Sequence, residues 1–296
     1  MSLIERALEK ARLASGDERA SLPPPKRSQV GRPEARIPNE PAVSIAFPEA
    51  RLRSLGYLPS PDQAARIASQ YQHVKRHLIA ATRTRPEEHT EENNRLVMMT
   101  SAVAGEGKTF NSINLALSLA TERDREVLLM DADFVKRKVT DLFGLGERPG
   151  FIDAVRDERA DVADFIVGTT TRNLRILPTG ASHEGTTDCL TSERTRQLLN
   201  QLTEDPRRIV VLDAAPVLLT TESNTLAQWM GQILLVVRAG ISPRAAVQHA
   251  LSSLDRRHGV ALLFNGETTN ALQDYLYGYD NSYAYMPSSD SNQERT

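Results

Sequence analysis

The chain of 296 residues contains one cysteine, Cys189. A single thiol excludes an intramolecular disulfide and any metal site built from several cysteines, and it suits a reducing compartment. Cys189 reads as a small apolar packing residue. Long apolar runs are also missing: none approaches the ~20 residues that cross a bilayer. Charges interrupt residues 1–13 throughout, so no signal-peptide core is expected there. The chain reads as cytoplasmic, reaching a membrane only through a partner or a surface helix. Charge of one sign is scarce too. A net charge of −2 gives no broad electrostatic case for nucleic acid as a partner. The remainder, 40% hydrophobic and 25% charged residues, is ordinary for globular protein. The length allows one large domain with extensions, or two domains.

Against these absences stands one informative stretch, Thr100-Ser101-Ala102-Val103-Ala104-Gly105-Glu106-Gly107-Lys108-Thr109. It follows an apolar run, 96–99, that reads as a buried strand. It precedes 110–121, which reads as a helix with Ile113, Leu115, Ala116 and Leu119 on one face. Strand, Gly-rich turn, Gly-Lys-Thr and helix form the context of a phosphate-binding loop. Gly105 and Gly107 let the backbone take up positive φ and approach a ligand closely. Successive N–H groups and the positive end of the helix dipole then face the phosphates. The nucleotide-contacting set is Ala104, Gly105, Glu106, Gly107, Lys108, Thr109 and Phe110. Lys108 is expected to reach the β and γ phosphates of ATP, and the Thr109 hydroxyl to ligate Mg²⁺. Ala102 stands where such loops usually have their first glycine.

Four segments divide the chain. Residues 1–15 read as a short amphipathic helix, with Leu3, Ile4, Ala7, Leu8 and Ala11 at helical spacing, suited to docking on a protein. Residues 16–61 hold nine of the sixteen prolines and read as an extended linker. A folded domain is expected over 62–272, beginning with a helix at 62–82. Strand candidates follow at 96–100, 127–130, 174–178, 209–212, 232–238 and 261–264, with helices between most of them. This alternation predicts an α/β fold with a parallel sheet covered on both faces, which binds ligands beyond the carboxyl ends of its strands. Residues 273–296 read as a mobile polar tail.

Two more apolar runs end in aspartate: Val127-Leu128-Leu129-Met130 before Asp131-Ala132-Asp133, and Ile209-Val210-Val211-Leu212 before Asp213-Ala214-Ala215-Pro216. Carboxylates at strand ends project toward the crevice where nucleotide lies. Asp213 suits Mg²⁺, directly or through water. Of Asp131 and Asp133, one can serve the metal while the other accepts a proton. Five of the seven tyrosines, Tyr275, Tyr277, Tyr279, Tyr283 and Tyr285, crowd into eleven residues of the tail. Basic residues are missing there, which argues against a nucleic-acid stacking platform. A low-complexity sticky tail is the bland reading. Exposed phenols able to reach an active site as phosphoacceptors are the sharper one.

Over roughly 60–285 these features together resemble the bacterial tyrosine kinases, P-loop enzymes that phosphorylate a C-terminal tyrosine cluster. Residues 101–109 are similar to that family's first nucleotide motif, 127–133 to its additional Asp-x-Asp motif, and 209–216 to its second nucleotide motif. Arg148-Pro149-Gly150-Phe151 and Leu190-Thr191-Ser192-Glu193-Arg194 are also family-like. The opening Met1-Ser2-Leu3-Ile4-Glu5-Arg6-Ala7 resembles the soluble autokinases of exosortase-linked exopolysaccharide systems. The resemblance implies a doubly wound, mostly parallel sheet of P-loop NTPase type and a Mg·ATP-dependent autokinase controlling polysaccharide assembly or export. In that scheme Lys108, Asp131 and Asp133 are catalytic; Thr109, Asp131 and Asp213 arrange Mg²⁺; Asp133 activates the phenol; and the five tail tyrosines accept phosphate. It further implies a homo-oligomer and a separate membrane-embedded polysaccharide co-polymerase as activator. The chain departs from the family at Val135, often Arg, and at 69–76, which lacks the Glu and first Arg of a ring-assembly pattern. Two alternatives remain. One is a partitioning-type ATPase, which carries a signature Lys where this chain has Val103. The other is a nucleotide-dependent scaffold without kinase activity.

Overall fold

Apolar runs buried on both sides make the middle of the sheet. In the computed structural model, which describes residues 41, 43–83, 93–180, 186–254 and 259–266, these runs are β2 (Asn93–Ser101), β3 (Glu126–Ala132), β6 (Arg208–Ala214) and β7 (Met230–Arg238). The flanking strands are β1 (Ser44–Ile45), β4 (Val167–Thr169), β5 (Leu174–Leu177) and β8 (Gly259–Asn265). The sheet order is β1-β4-β5-β3-β6-β2-β7-β8, and every neighbouring pair is parallel except β4 with β5. All six expected strands are present, so the doubly wound α/β architecture holds.

Strand side chains alternate between faces with period two, and the core divides accordingly. Val97, Met99, Val127, Leu129, Ile209 and Val211 pack with α2 (Pro61–Arg83), α3 (Lys108–Ala120) and α4 (Lys138–Leu142). Leu96, Met98, Leu128, Met130, Val210 and Leu212 pack on the other face with α5 (Phe151–Arg156), α7 (Glu193–Gln201), α8 (Thr221–Ala227) and α9 (Arg244–Ser253). A short helix, α6 (Thr186–Leu190), places Leu190 in this second core. The parity fixes the site. Asp131 follows Leu129 by two and Asp213 follows Val211 by two, so both carboxylates leave the strand ends on the α3 face. They are register partners across β3 and β6.

The reading of 16–61 as linker is corrected from residue 43 onward. Gly168 N donates to Val43 O at 2.8 Å and Thr170 N to Ile45 O at 3.0 Å, which adds β1 to the sheet beside β4. Phe47 meets Phe143 edge-on with ring centroids 5.7 Å apart. Leu52, on α1 (Glu49–Ser54), is fully buried. Asn114 Nδ2 donates to Tyr57 O at 2.9 Å, and Lys138 Nζ lies 5.6 Å from the centre of the Tyr57 ring. The prolines do not prevent this, because Pro48 sits at the N-cap of α1, where the missing N–H costs nothing. The folded domain therefore begins near residue 43, not 62. The helix and linker expected over 1–40, and the tail with its five tyrosines, lie outside the described residues. Among the described residues no helix is long and apolar enough to cross a membrane.

Candidate nucleotide site

Strand β2 delivers the chain to the loop at Ser101, and α3 begins at Lys108. Between them the backbone turns left-handed at Gly105 (φ 82°) and Gly107 (φ 97°). The positive φ favours glycine at Gly107, and a Cβ there would sit 2.0 Å from Asn265 Nδ2 and displace that side chain. Glu106 is buried: its Oε2 accepts from Val103 N at 2.9 Å and its Oε1 from the Ser242 hydroxyl. Its side chain thus ties the loop to the segment after β7, and its part toward a ligand is through its backbone. Ala104 and Gly105 are exposed, and Phe110 is half-buried. Ser101 O accepts from Val217 N at 3.0 Å, joining the loop to the chain after Asp213.

Asp213 is buried at the end of β6. Its Oδ2 accepts from the Thr109 hydroxyl at 2.7 Å and its Oδ1 from the Ser112 hydroxyl at 2.9 Å, both on α3. Burial pushes its carboxyl up to about 6, against the pull of those hydroxyls and of Lys108. Burial likewise draws the Lys108 ammonium down, opposed by the charges of Asp213 and Asp133. Lysine, hydroxyl and carboxylate therefore meet within one electrostatic neighbourhood at the start of α3.

Asp131 is fully buried, and its oxygens face backbone amides. Thr140 N donates to Oδ2 at 2.7 Å and Asp133 N to Oδ1 at 3.3 Å. Burial first, and then the Asp213 carboxylate, push its pKa up to about 7. Behind it, Thr179 Oγ1 donates to Asp131 O at 3.2 Å, and Thr179 N donates to Thr140 Oγ1 at 3.1 Å. Asp133 lies nearer the surface, with Oδ1 accepting from Lys136 N at 3.0 Å. Val135 is exposed in the same turn.

The structure thus gathers Lys108, Thr109, Asp131, Asp133 and Asp213 at the carboxyl ends of β2, β3 and β6. Sequence reasoning missed Ser112, Asn111, Asn265, Ser242 and Thr140. Of these only Ser112 had a usable signal: it lies one helical turn after Thr109, on the same face of α3. Two buried carboxylates in each other's field, with a hydroxyl ligand beside them, fit a divalent cation with a preference for hard oxygen. Among the described residues no group of three or more Asp, Glu, His or Cys side chains is arranged to hold a metal by itself. The fit is to an ion that also takes ligands from phosphate and water, as Mg²⁺ does.

No family model matches the chain. It is 29% identical over 193 residues to the tyrosine-protein kinase Etk of Escherichia coli, covering 63% of this chain and 26% of that protein. It is 27% identical over 202 residues to the tyrosine-protein kinase Wzc of Salmonella typhi, covering 67% and 27%. The chain thus spans about a quarter of the length of these curated relatives. Among solved structures it resembles the kinase domain of VpsO, with TM-score 0.55 and 28% identity, over 69% of this chain and 98% of that one. The kinase domain of Escherichia coli Etk, at 22% identity and TM-score 0.55, shares the fold. The phosphate-type loop, the paired strand-end aspartates and these relatives agree: over about two thirds of its length the chain is similar to bacterial tyrosine kinases and their kinase domains.

Proposed function

We propose that this chain is a Mg·ATP-dependent protein-tyrosine autokinase whose acceptors are Tyr275, Tyr277, Tyr279, Tyr283 and Tyr285. The observation that carries the reading is the junction of Asp213 with the Thr109 and Ser112 hydroxyls, beside Lys108. A buried carboxylate holding two hydroxyls at the first turn of the loop helix suits a metal–phosphate complex better than a structural cap, which needs no lysine at its side.

In this reading the loop amides and Lys108 hold the β and γ phosphates. Thr109 and Asp213 hold Mg²⁺, with Asp131 beside Asp213 supplying further negative charge. Mg²⁺, when bound, neutralises charge building on the transferred phosphoryl group. The tyrosine phenol, with an ordinary pKa of ~10, arrives protonated. Asp133 takes that proton as the phenolic oxygen bonds to the γ phosphorus and ADP leaves with the bridging oxygen. The remaining contribution of the protein is positioning. Beyond the site, residues 1–15 act as a docking helix, the chain works in the cytoplasm as a homo-oligomer, and a separate membrane-embedded polysaccharide co-polymerase activates it. Its output is control of exopolysaccharide assembly or export, following the autokinases its opening residues resemble.

The test is incubation of the full chain with Mg·ATP, with phosphotyrosine and ADP read separately. Phosphotyrosine formed together with ADP supports the autokinase. ADP without phosphotyrosine returns the partitioning-type ATPase, and nucleotide binding without either product returns the scaffold.

A further inference from the structure

Three consecutive carbonyl oxygens of the loop are each held by a side chain from a different element. Arg238 Nη1, at the end of β7, donates to Gly105 O at 3.1 Å. Asn265 Nδ2, at the end of β8, donates to Glu106 O at 2.8 Å. Asn111 Nδ2, on α3, donates to Gly107 O at 2.8 Å. Asn111 is itself held from α2, because the buried Tyr71 hydroxyl donates to Asn111 Oδ1 at 2.7 Å. The function proposed above uses none of these four side chains.

The geometry of the peptide unit gives the arrangement its meaning. Each unit is planar and trans, so its C=O and the N–H of the following residue point opposite ways. A carbonyl held on one side therefore aims the next N–H to the other. Arg238 and Asn265 fix the directions of the Glu106 and Gly107 N–H groups, and the Lys108 N–H is fixed jointly by Asn111 Nδ2 and by the helical bond from Asn111 N to Gly107 O at 3.0 Å. None of these three donates to a partner among the described residues. They are consecutive unmet donors in a left-handed turn at a helix start, which is the arrangement that binds anions. Without the clamps, Gly105 would leave the peptide units on either side of Glu106 freer to rotate, while the helical bond to Gly107 O remains.

Tyr71 adds selectivity to the third clamp. An asparagine amide can face a carbonyl with its NH₂ or, rotated by half a turn, with its oxygen. The Tyr71 hydroxyl engages the oxygen end, which leaves the NH₂ for Gly107 O. Burial raises the phenol's pKa, so it remains a donor at any working pH. We propose that Arg238, Asn265 and the Asn111–Tyr71 pair are positioning residues that preset the loop amides for the phosphate chain of ATP. Tyr71 carries this control from α2, a helix outside the nucleotide motifs.

The inference rests on the nucleotide reading above, and the experiment separates the two. ATP affinity is measured by calorimetry on the full chain in EDTA, where neither metal nor catalysis contributes. Wild type is compared with Tyr71→Phe, Asn111→Asp and Asn265→Ser, with the melting temperature of each nucleotide-free protein recorded alongside. Asn265→Ser and Asn111→Asp are expected to weaken ATP binding by about tenfold, the scale of one lost hydrogen bond, and Tyr71→Phe by about threefold or more. Melting temperatures are expected to stay near wild type. Tyr71→Phe should add nothing in the Asn111→Asp background, since both break one relay, but should add to Asn265→Ser. Wild-type binding with unchanged affinity in Tyr71→Phe and Asn265→Ser overturns the clamp and leaves the nucleotide reading standing. These two variants decide the matter if Asn111→Asp fails to fold. A wild-type chain that binds ATP neither in EDTA nor with Mg²⁺ overturns both.

Discussion

At the scale of single residues, Asp131 and Asp213 are paired in register on adjacent strands and buried on one face. Burial, and for Asp131 the neighbouring charge, raise their pKa values to about 7 and about 6. In the window from about pH 4 to about 7 the folded protein holds protons that the unfolded chain has released. Stability of the nucleotide-free protein is therefore fullest below about pH 4, as far as these groups decide it, and falls as pH rises through their folded-state values. Asp131→Asn should remove part of this slope and stabilise the nucleotide-free protein near pH 8 by on the order of 1–3 kcal/mol. Thermal melts across that range check it; an unchanged slope contradicts the account. Lys108→Met should abolish phosphotyrosine while leaving the fold intact, because the ammonium interacts with the charges of Asp213 and Asp133 and the residue belongs to neither apolar core. Asp131→Asn and Asp133→Asn should each slow transfer by about 10²-fold or more, with Asp131→Asn shifting the Mg²⁺ dependence further. Steady-state rates over a magnesium titration read both effects. Equal and negligible changes would make the pair structural caps.

Most of the residues that carry charge here were legible in the sequence. Gly107-Lys108-Thr109 follows a strand and opens a helix, and the three aspartates end apolar runs. Position along a strand is enough to send a carboxylate to the sheet's carboxyl edge. Asn111, Ser242 and Asn265 were not legible. Ser242 and Asn265 are neutral and far from the loop in the chain, and only the sheet order, with β2 beside β7 and β7 beside β8, brings them to it; Asn111 is near in sequence, but its amide gives no sign of which carbonyl it holds. Glu106 was legible as a member of the loop but not in its direction, since burial of its carboxylate depends on Ser242, 136 positions away.

At the scale of elements, the six longer strands announce themselves by apolar content, whereas β1 and β4 do not. Strands of two and three residues show no periodicity, and both exist through pairing partners distant in sequence. The same limit hid the start of the domain. Proline content suggested a linker, but alternation of Val43, Ile45 and Phe47 against the core, followed by Leu52, overrides composition. Leu52→Ala should therefore cost about 2–5 kcal/mol, the range for emptying a buried leucine site. A chain beginning at residue 62 should unfold at lower denaturant than one beginning at residue 41. Equal midpoints would restore the linker reading.

At the scale of the whole molecule, the proposal joins a nucleotide site built from β2, β3, β6 and α3 to a tail that follows the last strand. Deleting 273–296 should remove most self-phosphorylation yet preserve ATP binding, because in this account the tail supplies the acceptors while the loop amides and Lys108 hold the nucleotide. Each phosphate adds about −1.5 to −2 charges, so several within one short segment repel one another and any acidic neighbour. Assembly should weaken as phosphates accumulate, and light scattering before and after ATP treatment reads that change. A constant particle size at rising phosphate stoichiometry would remove the assembly switch alone. The most direct test of the central claim is mass spectrometry of the purified full chain after incubation with Mg·ATP, beside Lys108→Met treated identically. The account predicts phosphate on Tyr275, Tyr277, Tyr279, Tyr283 or Tyr285 in the wild type and none in the variant. ATP consumed with every one of these tyrosines unmodified would contradict it.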